Sequence, residues 1–81
     1  MLSYDKYSEL RENKQIITLI LSNGFRYTGI IKDLEYDGLN KYKSIILYFE
    51  DQKIGQVRVN SSQIISIELQ KGVFNAKWKQ Q

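Results

Sequence analysis

The chain has no cysteine, no histidine and no proline, and its 81 residues include a single tryptophan and a single methionine. Without cysteine a disulfide framework is impossible. Without cysteine or histidine the usual thiolate and imidazole ligands for zinc, iron or copper are missing as well. Nucleophilic triads and most acid–base machinery at neutral pH draw on the same two residue types, so the expectation is a protein that is not an enzyme and carries no cofactor. The nearest approach to a phosphate-cradling loop, Gly24 to Gly29, has the wrong spacing and no Lys-Ser/Thr behind it. No segment approaches the roughly 18 consecutive apolar residues of a membrane span, since the longest run, Ile16 to Leu21, is already interrupted by Thr18. The opening Met1-Leu2-Ser3-Tyr4-Asp5 lacks the basic start and apolar stretch of a signal peptide. A cytosolic protein without membrane contact is the expectation.

A chain this short forms one domain with a thin core. With disulfides and metals excluded, self-association is the remaining source of added stability. Charge is distributed unevenly: residues 1–69 hold nine Lys/Arg and nine Asp/Glu, so the formal +3 comes entirely from Lys71, Lys77 and Lys79. A neutral body does not suit bulk binding of duplex DNA. Phosphate contacts would have to come from a local cluster, from repetition in an oligomer, or from the tail.

Ser3 is placed to cap a short amphipathic helix over residues 4–13, with Asp5 in its first turn and Tyr7, Leu10 and Arg11 on one side. Asn13-Lys14 breaks that pattern. From Ile16 the period becomes two: Ile17, Leu19 and Leu21 alternate with Ile16, Thr18 and Ile20, giving a first strand apolar on both faces. One face is expected to fill a barrel and the other to be covered by the helix. Asn23-Gly24 is a strong hairpin signal. A long second strand, Phe25 to about Glu35, carries Gly29 in its middle, where a bend or a close backbone approach would justify it. A turn-rich loop over residues 36–43 follows. Further strands are expected at residues 44–50, 54–59 and 63–69, the last with Ile65, Ile67 and Leu69 alternating against Ile64, Ser66 and Glu68. A helix followed by five short strands fits a mostly β protein, a strongly bent, five-stranded antiparallel small barrel of SH3-like type. Residues 1–69 form this domain. Residues 70–81 form a basic, aromatic tail that reads as a short helix, a flexible extension or a strand extension docked on a neighbour.

Leu21, Asn23, Gly24, Gly29 and Ile31 together resemble the first motif of the Sm-like family (Sm, LSm and Hfq proteins), and Val57-Arg58-Val59-Asn60 resembles its second. Val59 stands where the family has glycine, and Asn40 falls one position late in the loop after Glu35-Tyr36. The Lys-His pair of Hfq proteins is absent. The resemblance spans about residues 3–69 and implies an Sm-like fold, a homo-oligomeric ring joined through strands four and five, and an inner rim that binds single-stranded, often U-rich, RNA. Open strand edges are templates for pairing with another copy, and a ring closes every edge with one repeated contact.

Carried onto this sequence, the RNA-binding residues are Tyr36, Asp37, Asn40, Arg58 and Asn60. Tyr36 can stack on a base, or simply end its strand with the ring on the barrel rim. Asn40 can read a base edge, or serve as ordinary turn chemistry in Gly-Leu-Asn-Lys. Arg58 offers a planar fork for a base or a phosphate, although a solvent-facing arginine in a strand is also unremarkable. Asn60 suits a turn cap, and Asp37 suits fixing the loop by hydrogen bonds. Lys77, Trp78 and Lys79 interleave charge and an aromatic ring as a single-strand contact would, or Trp78 anchors the tail by packing. The competing reading is an SH3-like barrel used for protein assembly, such as a phage or viral structural or regulatory module, without RNA affinity.

Overall fold

The computed structural model describes residues 2–37 and 44–72. Helix α1 spans Tyr4–Glu12 and begins where Ser3 adopts an extended backbone and its hydroxyl accepts from the Lys6 N–H at 3.3 Å. Asp5 in the first turn and Arg11 in the last complement the helix dipole. The helix ends at Asn13, and Lys14 turns the chain with a left-handed φ of 49°.

Five antiparallel strands follow: β1 (Ile17–Leu21), β2 (Arg26–Tyr36), β3 (Ile45–Asp51), β4 (Gly55–Asn60) and β5 (Ile64–Leu69), with a 3₁₀ turn at Ser61–Gln63 between the last two. They form one sheet in the order β4-β3-β2-β1-β5. The sheet is not closed into a barrel: β4 and β5 lie at its two edges and do not pair with each other. Strand β2 holds the two halves together, pairing with β1 through residues 26–29 and with β3 through residues 29–36, so that Gly29 faces Ile17 on one side and Asp51 on the other.

Two bulges shape the sheet. Lys32 is an extra residue between the pairs Ile31–Phe49 and Asp33–Tyr48, and Ile65 is an extra residue between Ser66–Ile20 and Ile64–Leu21. A bulge adds twist and re-aims side chains. In β5 it brings Ile64 to the same side as Ile67, both packed on the core, and leaves Ile65 exposed. The simple alternation expected from the sequence therefore holds only from Ser66 onward.

The core gathers Leu19, Ile31, Leu47, Phe49 and Val59 from the sheet and Tyr7 from the helix, each nearly fully buried. Burial of the Tyr7 phenol pushes its pKa above the usual value of 10.0. Here the structure corrects the expected position of the helix. Tyr7, with Tyr4 and Leu10 beside it, packs on the same core that receives Ile17, Leu19 and Leu21, and does not cover the opposite face of β1. That other face is closed by polar side chains: the Thr18 and Thr28 hydroxyls lie 2.7 Å apart, and Gln70 Nε2 donates to Thr18 Oγ1 at 3.1 Å. Gln70 also continues the ladder, its N–H donating to the Ile16 carbonyl at 2.9 Å, so the sheet's hydrogen bonding extends into the first residue of the tail. At the solvent-exposed margin Arg11 of the helix pairs with Asp33 of β2 at 3.2 Å.

The β3–β4 turn depends on one carboxylate. Buried Asp51 accepts from the Thr28 N–H at 2.9 Å, the Lys53 N–H at 2.8 Å and the Ile54 N–H at 3.1 Å. Replacing it with alanine strands three backbone donors, two in the turn and one in β2. Asp51→Ala is expected to destabilise the fold by about 2–3 kcal/mol, read as a lower urea midpoint at unchanged m-value. Asp51→Asn, which keeps one acceptor oxygen, should cost roughly half as much.

Candidate nucleic-acid interface

The residues singled out by sequence divide between the two faces of the sheet and its end. Direct cross-strand partners share a face, and the register pairs Tyr36 with Ile45, Tyr48 with Arg58, and Ile46 with Asn60. Tyr36 therefore projects to the core and helix side, whereas Arg58 and Asn60 project from the opposite face.

Asp37 and Asn60 do come together. Asn60 Nδ2 donates to Asp37 Oδ2 at 3.1 Å, and the Ser44 hydroxyl donates to the same oxygen at 3.2 Å. The ends of β2, β3 and β4 are thus tied by one carboxylate. Asn60 also caps the 3₁₀ turn: its Oδ1 accepts from the Ser62 N–H at 2.9 Å, while the Gln63 side chain accepts from the Asn60 N–H at 3.2 Å. Beneath this cluster the buried Ser61 hydroxyl accepts from the Ile45 N–H at 2.9 Å. The roles of turn cap for Asn60 and loop anchor for Asp37 are therefore visible directly in the bonding.

Arg58 is exposed on β4 and sits opposite Tyr48. The Tyr48 hydroxyl donates to the Glu35 carboxylate. That carboxylate pushes the phenol's pKa up, with the neighbouring Arg58 guanidinium pulling the other way. Arg58 thus stands on a face of mixed charge that it shares, by strand register, with Tyr48 and Glu35. Tyr36 is 54% exposed, and its ring stacks on Tyr4 of α1 with centroids 4.8 Å apart and planes 22° from parallel.

Asn40, Lys77, Trp78 and Lys79 lie outside the described residues. Sequence reading missed Ser44, Tyr48 and Tyr4. Tyr4 had a local signal, because its i, i+3 spacing to Tyr7 puts both rings on one side of a helix. Ser44 and Tyr48 had none, since their partners, Asp37 and Glu35, are set by strand register.

Beside β5 and α1 runs an open groove of about 480 Å³ lined by Leu2, Lys6, Tyr7, Leu10, Ile67 and Leu69. Ile65 and Leu69 are 67% and 68% exposed on the β5 edge. Among the described residues no group of histidine, cysteine or carboxylate side chains is arranged to hold a metal ion, and no helix is long and apolar enough to cross a membrane. No protein-family model, curated protein or solved structure matches the chain.

Proposed function

We propose that this protein is an Sm-like subunit that assembles with copies of itself, edge to edge, into a ring and binds single-stranded RNA through the repeated β2–β4 end of its sheet. The observation that carries the reading is the strand order, which leaves β4 and β5 at opposite edges of one sheet. Strands at opposite edges of one subunit can each meet the complementary edge of the next copy, and such a heterologous contact closes into a ring when its rotation allows. Exposed Ile65 and Leu69 supply apolar surface at one edge. Repetition also answers the charge problem, because a body of zero net charge presents one Arg58 per copy and a ring presents several to a single strand.

A second reading, assembly without RNA affinity, draws support from Arg58, whose guanidinium already engages the Tyr48 hydroxyl within the subunit. Fluorescence anisotropy with short U-rich and A-rich oligonucleotides on wild type and Arg58→Ala separates the two. If RNA is bound, Arg58→Ala should weaken it by about tenfold or more. Its salt dependence should become shallower by roughly 0.7 in log–log slope for each phosphate the variant leaves unneutralised. Negligible binding by both proteins at low salt would leave assembly as the function.

A further inference from the structure

One aromatic pair stands at the margin of the core, Tyr4 packed against it and Tyr36 more than half exposed. Helix docking is already secured by buried Tyr7, by Leu10 and by the Arg11–Asp33 ion pair. Yet Tyr4 extends the helix's contact to the last residue of β2, where it lies flat on Tyr36. In a stacked pair each ring covers one face of the other, and with that face covered Tyr36 as a residue is still 54% exposed. The Tyr4 hydroxyl meanwhile points back to the Leu34 carbonyl at 3.5 Å. Tyr36 is thus backed by the helix on one side. Directly next in the chain is Asp37, fixed by Asn60 and Ser44.

We infer that Tyr4 is a positioning residue for a base-binding platform: it backs the Tyr36 ring so that one nucleobase of a single-stranded RNA stacks on the outward face as the third layer, Tyr4–Tyr36–base. The inference rests on the proposed RNA binding and names how its aromatic contact is built. A free tyrosine at a strand end loses rotamer freedom when a base stacks on it. A ring already clamped by a parallel neighbour loses less, and pre-organisation of that kind raises affinity without adding a direct contact. Aromatic stacking tolerates any base, since every base has a π face. The platform therefore selects single-stranded over paired RNA and leaves base identity to the neighbouring polar groups.

The test uses the full chain and a short uridine-rich oligonucleotide carrying one 2-aminopurine, whose fluorescence falls when it stacks on an aromatic ring. Wild type should bind and quench the probe. Tyr4→Leu should weaken binding by about 2- to 12-fold, the range set by one aromatic pair, and should reduce the quench at saturation while its circular dichroism and melting temperature stay near those of wild type, which separates a lost backing ring from an undocked helix. Tyr4→Phe, which keeps the ring and gives up the hydroxyl, should remain within about twofold of wild type. Should Tyr4→Leu fail to fold, Tyr36→Leu replaces it and must abolish the quench. Wild-type binding with equal affinity and quench in Tyr4→Leu, or in Tyr36→Leu, overturns the platform and leaves the RNA reading standing. Absence of RNA binding by wild type itself removes both.

Discussion

Gly29→Ala is expected to cost about 4 kcal/mol or more and to lower the melting temperature by more than about 15 °C. A Cβ at position 29 would lie 1.8 Å from the Glu50 carbonyl oxygen, 2.8 Å from its carbon and 3.2 Å from the Asp51 Cα. All three are backbone atoms, so no side chain can swing away. Overpacking that side chains can relieve typically costs 1–3 kcal/mol, and here relief requires separating β2 from β3. Position 29 also pairs with Ile17, so displacement towards β1 is blocked as well. The disturbance reaches the turn that Asp51 holds, because the neighbouring Thr28 donates its N–H to Asp51 and its carbonyl accepts from the Gln52 N–H at 2.8 Å. Gly24→Ala is the control. Nothing lies within 4 Å of a Cβ there, and only the left-handed φ of 90° is unfavourable, a cost of about 1–2 kcal/mol. Thermal unfolding followed by circular dichroism compares the two, and a Gly29→Ala protein melting within a few degrees of wild type would show that the close approach is not what the glycine serves.

The second large effect concerns assembly. Ile65→Lys combined with Leu69→Lys changes two side chains that are mostly exposed in the single subunit. Exposed substitutions of this kind normally shift intrinsic stability by no more than about 0.5 kcal/mol each, so circular dichroism should still report the same fold. Charge on an edge strand is nevertheless an effective block to pairing with another chain. The double variant is expected to remain monomeric. Its RNA affinity should fall about 10²- to 10⁴-fold, the avidity that linked sites supply. The direction is informative, because two added lysines raise the net charge from +3 to +5 and would on their own strengthen binding to a polyanion. Unchanged molar mass in the double variant would place any self-association elsewhere than at β5.

Much of the architecture is written in local patterns. Ser3 before Asp5, the switch to period two at Ile17, Asn23-Gly24 and the mid-strand Gly29 each encode their element through neighbours a few residues away, and the observed strand bounds differ from the expected ones by about one residue. What escaped was non-local. The bulge at Ile65 exists because β5 must match β1, so the strict alternation of its apolar residues misled. The helix lies on the core face because Tyr7 is needed to fill it, which the two-sided apolarity of β1 could not specify. Asp51 reads in sequence as an ordinary turn residue, and its bond to Thr28 across 23 positions becomes visible only once β2 and β3 are in register.

The candidate site follows the same rule. Asp37 and Asn60 were legible as turn chemistry, and their meeting at 3.1 Å follows from strand pairing. Tyr36 was legible as a ring at a strand end, but its stack on Tyr4 joins residues 32 apart, and its placement on the face opposite Arg58 depends on the Lys32 bulge. A motif match can nominate both residues, and only the sheet decides which face each serves.

The molar mass of the wild-type protein in solution decides whether the proposed ring exists. Light scattering across a concentration series up to tens of micromolar should give a defined mass several times the 9.6 kDa of one chain, constant over the upper part of the series as a closed assembly requires. A protein that stays at 9.6 kDa throughout would mean that the β4 and β5 edges do not find one another, and the proposed ring with its repeated RNA contacts would not exist.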